Sequence, residues 1–192
     1  MLREHLKNHN IILASGSPRR QQFIKDLDID FTIDVREVDE VYPPELKGTD
    51  ISDYLAKLKS EAFNDLKEKD IVITSDTIVW VSDQALGKPK DPQEAIDMLK
   101  LLSGKTHEVI TSVCLKTTNS TQVFHDSTTV HFKKLNTFEI EYYVNKFKPF
   151  DKAGSYGIQE WIGFIGVEKI EGSYFTVMGL PTHKLYEELL KI

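Results

Sequence analysis

Residues 71–81, "IVITSDTIVWV", form a long run rich in β-branched residues, and such a run reads as a strand. Helix patterns stand on both sides of it. Upstream, "ISDYLAKLKSEAFNDL" repeats Ile51, Leu55, Leu58, Ala62 and Leu66 at helical spacing and predicts a helix over 50–68. Downstream, "DPQEAIDMLKLLSG" offers Asp91 as N-cap, Pro92 at the first helical position and Gly104 as the stop. A strand set between two amphipathic helices commits the chain to a mixed α/β fold, a mixed sheet with helices on its faces.

The alternation continues elsewhere. An apolar run at 11–14 leads into a helix over 18–28, followed by a short strand at 31–35. Residues 36–48 carry two prolines and several acids and read as a loop. "HEVITSVCLKTT" and "TQVFHDSTTVHF" flank "TNST", the pattern of a β-hairpin. A helix at 137–147, a loop at 151–159, a strand at 164–170 and a helix after Pro181 complete the order. No repeat or linker interrupts it, so residues 1–192 are read as one domain.

Composition narrows the function classes. At 40% hydrophobic and 28% charged, the chain suits a soluble protein with a sizeable core. No apolar run approaches the ~20 residues of a membrane span, and "MLREHLKNHN" lacks the apolar stretch of a secretory signal. The single cysteine, Cys114, excludes an internal disulfide and fits a reducing compartment, so a cytoplasmic location is expected. A net charge of −6 argues against a general nucleic-acid binder. It leaves room for a small polyanion met by a local cluster of cations.

Five stretches suggest where that cluster lies. After the 11–14 run, Ser15-Gly16-Ser17-Pro18 breaks the strand and Arg19 and Arg20 open the next helix. Strand, glycine-containing turn and helix N-terminus together make a phosphate site, although two solvated arginines would read the same. Lys59 falls inside the apolar stripe of its helix, where an ammonium must snorkel to water or meet an anion. Asp76 interrupts the β-forming run, either as a metal ligand or general base or as a solvent-facing residue. Lys88 in "LGKPKD" and Gln159 in "DKAGSYGIQ" sit on turns that suit a ligand pocket or an ordinary connection.

Other apparent motifs fail. "SGKT" at 103–106 lacks the P-loop glycine, since Leu99 stands in its place. His107-Glu108 is followed by Thr111 rather than a second histidine, and the histidines show no metal-ligand spacing.

Taken in order, "LASGSPRRQQFI", "LAKLKSEA", "SDTIV", "GKPKDPQEAIDML", "LSGKTHEVITSV", "DKAGSYGIQ" and "IEGSYFTVMGLP" resemble the Maf family of nucleoside triphosphate pyrophosphatases over residues 11–186. The resemblance implies a fold like that of the inosine triphosphate pyrophosphatases, two lobes around a cleft. It implies metal-dependent hydrolysis of a nucleoside triphosphate, with Mg²⁺ or Mn²⁺, without stable nucleic-acid or membrane partners. It assigns Asp76 as proton acceptor, and Ser15, Ser17, Arg19, Arg20, Lys59 and Lys88 to the phosphates. Glu40 and Asp76 would hold the metal, and a homodimer is expected by analogy.

Within the family the chain resembles the dTTP/UTP branch, where Arg19, Thr77 and Gln159 match the specificity positions. A side-chain amide suits the carbonyl and N–H of a uracil or thymine edge. The alternatives are the 7-methylguanosine triphosphate branch and a non-catalytic nucleotide sensor acting in cell division. Glu160-Trp161 replaces a frequent glycine, Ser75 a usual alanine and Thr176 a frequent asparagine.

Overall fold

Strand β1 (Asn10–Leu13) lies between two parallel neighbours in the computed structural model, which describes residues 1–192. Ahead of it stands a short helix α1 (Leu2–Leu6), and behind it follow α2 (Pro18–Asp26), β2 (Phe31–Ile33), α3 (Thr49–Glu61) and β3 (Asp70–Val81). Ile11 is level with Phe31 of β2 on one side and with Ile71 of β3 on the other. The chain continues through β4 (Gln84–Leu86), α4 (Pro92–Leu102), β5 (Thr106–Lys116), β6 (Thr121–Phe132) and α5 (Thr137–Phe147). A 3₁₀ turn (Ala153–Ser155), α6 (Trp161–Gly166), β7 (Val167–Glu171), α7 (Tyr174–Val177) and α8 (Thr182–Leu189) end it.

The strand order is β2-β1-β3-β5-β6-β7, with β4 antiparallel on β3, so the seven-stranded sheet is mixed as expected. No helix is long and apolar enough to cross a membrane. The chain divides into two compact units. The first comprises Met1–Asp76, Thr111–Asp126 and Gly179–Ile192, and the second Thr77–Ile110 and Ser127–Met178. Each has its own apolar core. Leu13, Ile24, Ile73, Val113 and Leu185 pack in the first, and Val79, Leu99, Val130, Ile140 and Ile162 in the second.

Helix α4 follows its signals. The Asp91 side chain accepts from the Glu94 N–H, Pro92 opens the helix, and Gly104 takes a left-handed conformation (φ +67°) just past the end. The Gly104 N–H donates to the Lys133 carbonyl, so the P-loop look-alike at 103–106 has its glycine amide engaged within the fold.

The helix read over 18–28 ends at Asp26 and the strand read over 31–35 at Ile33, and two further boundaries differ more widely from the sequence reading. The helix expected over 50–68 stops at Glu61. There the Arg36 guanidinium donates to the Ala62 carbonyl, chelates Asp65 and stacks 4.1 Å over the Phe63 ring. Arg36 also binds Asp34, so a partner distant in sequence peels the chain away before Leu66 can extend the stripe. The strand expected at 164–170 begins only at Val167, because 161–166 is helical. Gly163 there lies against the Ile158 backbone, a closeness that only glycine allows.

Buried in the second unit, His107 bonds the Tyr156 hydroxyl (2.8 Å) and packs edge-on against Phe132. Burial pushes its imidazole down to about 4, with His131 adding to the effect. A histidine depressed on folding stabilises fully above its unfolded value near 6.5 and loses that contribution as pH falls toward 4. Stability is therefore expected to drop by up to ~3 kcal/mol from this group between pH 6.5 and 4. Denaturation of the wild type and His107→Phe across that range checks it, because the difference between the two must shrink on acidification.

Candidate active site

The turn after β1 is built by its own hydroxyl. Buried Ser15 turns its Oγ to the Ser17 N–H (3.3 Å), and Ser17 then occupies the N-cap of α2 with Pro18 next. A Cβ built on Gly16 would meet nothing within 4 Å, so space is open over the turn. Arg20 reaches back from α2. Its Nε donates to the Gly179 carbonyl (2.8 Å), and its Nη1 to the Ser75 carbonyl (3.0 Å) and the Ser15 Oγ (3.4 Å). A cation is disfavoured at a helix N-terminus, and here the Arg20 guanidinium is met first by protein acceptors. Burial pushes the Arg20 guanidinium down to about 10, Asp76 and Glu40 oppose that, and neighbouring Arg19 reinforces it. Arg20 stays charged at neutral pH.

Lys59 resolves the other anomaly. Its Nζ lies 2.7 Å from Asp76 Oδ1 and 2.9 Å from Glu40 Oε2. With only 19% of the lysine side chain and 10% of the aspartate exposed, the ammonium meets anions rather than snorkelling. Three elements place this trio: Lys59 in α3, Asp76 in β3, and Glu40 in the loop after β2. The Thr74 hydroxyl fixes α3 against β3 by donating to the Ala56 carbonyl (2.6 Å).

Two carboxylates converging on one cationic nitrogen form a donor set that a divalent cation could use. No group of three or more His, Cys, Asp or Glu side chains is placed to hold a metal. One or two carboxylates, with water and substrate phosphates filling the shell, is the ordinary Mg²⁺ arrangement, so the residues fit it.

The first unit thus contains Ser15, Ser17, Arg19, Arg20, Glu40, Lys59 and Asp76, and joins most of them through shared partners. The second unit contains Thr77, Lys88 and Gln159. Lys88 is exposed on the turn between β4 and α4, and Thr77 directly follows Asp76 along β3. Gln159 is half-buried, its amide folded over Gly157: a Cβ built there would lie 3.1 Å from both amide heavy atoms.

Sequence reasoning missed what surrounds Gln159. Glu160 accepts a short hydrogen bond from the Tyr143 hydroxyl and pairs with Lys152 Nζ at 3.0 Å. The Tyr143 oxygen in turn accepts from the Gly157 N–H (3.0 Å), while burial, reinforced by Glu160, raises the phenol well above its usual range. The only signal in the sequence is that Glu160 stands where a glycine is frequent. Cys114 is buried with its thiol pushed up by that burial, which suits packing rather than chemistry.

Ser75 contributes its carbonyl and nothing else visible, because its Oγ is buried without a hydrogen-bond partner. An unsatisfied buried hydroxyl costs about 1–3 kcal/mol. Ser75→Ala is accordingly expected to stabilise the protein by ~1 kcal/mol and leave turnover unchanged, measured by denaturant midpoint and steady-state rate. A loss of stability would mean that the hydroxyl has a partner.

Residues 10–192 match the family model described as Maf-like protein. A curated relative from Christiangramia forsetii, named dTTP/UTP pyrophosphatase, is 63% identical over 190 residues, covering 98% of this chain and 97% of its own. One of the same name from Parabacteroides distasonis is 49% identical over 188 residues, 97% of each. Among solved structures, a Ham1 protein of Staphylococcus aureus superposes with TM-score 0.52 at 18% identity, covering 93% of this chain and 99% of its own. A HAM1 protein from Coxiella burnetii gives 0.52 at 15% identity, with 96% and 100% covered. These last two bear on the fold alone.

Proposed function

The chain belongs to the Maf family, and on that premise we propose that it hydrolyses dTTP and UTP to the monophosphate and pyrophosphate. The observation that carries the chemistry is the convergence of Asp76 and Glu40 on Lys59, in the unit that also holds the Arg20-anchored turn. The relatives named for this activity cover nearly the whole chain, which supports the choice of substrates.

In this reading water attacks the α-phosphorus. A new P–O bond forms, the bond from the α-phosphorus to the bridging oxygen breaks, pyrophosphate leaves, and Asp76 takes the proton. An ionised carboxylate has only acceptor sites and suits that role. Lys59 holds the Asp76 oxygen in place and, with Arg19, Arg20 and Lys88, offsets the charge of the triphosphate. Ser15 and Ser17 shape the turn that faces the phosphates. Asp76 and Glu40 would hold Mg²⁺ or Mn²⁺, which when bound polarises phosphate oxygens and neutralises their charge. Arg19, Thr77 and Gln159 select the base, Gln159 through a donor and an acceptor on one planar group.

A panel of canonical and modified nucleoside triphosphates, assayed for pyrophosphate with Mg²⁺ and with Mn²⁺, tests the proposal. dTTP and UTP should turn over fastest. Preference for 7-methylguanosine triphosphate would overturn the branch, and tight binding without turnover would favour a sensor. The reading also includes a cytoplasmic location and a homodimer, the latter checked by light scattering.

A further inference from the structure

We infer that Arg36 is a positioning residue for the proposed active site: it clasps the Glu40 loop to the end of α3 and so sets how well Glu40 and Asp76 together take up a divalent cation. The inference rests on the reading that these two carboxylates hold the metal.

The Arg36 guanidinium is fully engaged. Its Nε donates to Asp34 Oδ2 (3.2 Å), and its Nη1 to the Ala62 carbonyl (2.9 Å) and Asp65 Oδ1 (2.6 Å). Its Nη2 donates to Asp34 Oδ2 (3.0 Å) and Asp65 Oδ2 (3.2 Å). A guanidinium has five N–H donors and all five are used, so none is left for a phosphate. The ring of buried Phe63 lies 4.1 Å from its central carbon. An arginine occupied in this way supports the site and is not one of its ligands.

What it joins are the pieces that carry the charges. Asp34 follows β2, and its N–H donates to the Leu13 carbonyl (3.3 Å), which pins it to the end of β1. Ala62, Phe63 and Asp65 stand just past the end of α3, and Lys59 lies in the last turn of that helix. From Arg36 the chain reaches Glu40 in four steps, at most about 14 Å when fully extended. Glu40 then returns to the same turn of α3 by pairing with Lys59 at 2.9 Å. Segment 36–40 is therefore fastened to the end of α3 at both of its ends.

The two fastenings differ in kind. Glu37 and Asp39 between them are exposed, so burial of the segment does little to order it. The Lys59 end belongs to the site and is shared with whatever binds there. The Arg36 end is not shared, and it holds the loop while the site is loaded. Without it, ordering the loop would be charged against each binding event. Lysine could not substitute, because an ammonium lacks the planar fork that grips Asp34, Asp65 and a carbonyl at once.

The test uses Arg36→Gln, Asp65→Ala, Glu40→Gln and the double variant Arg36→Gln/Glu40→Gln. Two quantities are read beside the melting temperature: the Mn²⁺ concentration for half-maximal turnover of UTP, and calorimetric binding of α,β-methylene-UTP with and without Mn²⁺. Arg36→Gln should raise the Mn²⁺ requirement about tenfold and weaken the analogue by a like factor only when Mn²⁺ is present. Asp65→Ala removes part of the clasp at a surface position and should act in the same direction by a smaller factor. It decides the matter if Arg36→Gln is too unstable to assay, and an unchanged Mn²⁺ requirement there would overturn the clasp. In the double variant the requirement should equal that of Glu40→Gln alone, because Arg36 acts through Glu40. Effects that multiply, or an analogue weakened equally with and without metal, would refute the clasp and leave the Glu40 reading standing. If Glu40→Gln changes neither quantity, the reading of Glu40 fails and the clasp with it.

Discussion

Asp76→Asn is expected to lower kcat for pyrophosphate release by ~10³-fold while the protein stays folded. The substitution keeps the shape of the side chain and removes the only feature that makes it a proton acceptor. Lys59 retains Glu40 at 2.9 Å, so its ammonium is not left unpaired. Arg20 keeps its bonds to the Gly179 and Ser75 carbonyls and to the Ser15 Oγ. Melting temperature should therefore move by only a few degrees, and that separates lost chemistry from lost structure. Steady-state turnover of UTP at saturating Mg²⁺ is the deciding measurement. A rate within tenfold of the wild type would remove Asp76 from the proton-acceptor role.

Gly163→Ala is expected to cost ~3 kcal/mol or more and to lower the melting temperature by roughly 10 °C. The added Cβ would fall 1.9 Å from the Ile158 carbonyl oxygen and 2.5 Å from its carbon. Both are backbone atoms, so no rotamer change relieves the overlap. Either α6 or the turn at Ile158 must move, and Ile158 immediately precedes Gln159. The variant should thus show a raised KM for UTP beyond its loss of stability. Thermal melts and KM together check the prediction, and a melt within ~2 °C of the wild type would refute the contact.

How much of this was legible in the sequence depends on whether the deciding contact is local. Helix α4 could be read end to end, because Asp91, Pro92 and Gly104 act within one turn of themselves. Lys59 could be flagged, since an ammonium in an apolar stripe demands an anion, and Asp76 could be flagged as an acid in a β-forming run. Their pairing could not be read from spacing, because it depends on how β3 packs against α3. The end of α3 was misread for the same reason: the stripe runs on through Leu66, and only Arg36, far upstream, shows why the helix stops. The 161–166 segment is apolar throughout, so periodicity could not choose between strand and helix. A steric contact at Gly163 made the choice.

The network around Glu160 lay furthest from view. Lys152, Tyr143 and Glu160 stand in a loop and a neighbouring helix, and no short-range rule couples a phenol to a carboxylate 17 residues away. A departure from the family pattern at position 160 marked the place without revealing the partner.

Three consecutive residues of β3 serve three different masters. Thr74 ties down α3 through its hydroxyl, Ser75 holds Arg20 through its carbonyl, and Asp76 meets Lys59 through its carboxylate. The consequence concerns how such a protein can drift over generations. Position 75 can exchange one small side chain for another, because its contribution is made by the main chain. Loss or gain of a single residue just upstream would misdirect all three attachments together, since alternate strand residues point to opposite faces. Lineages of this protein should therefore vary freely by substitution at 75 and hardly at all in the length of the strand before it.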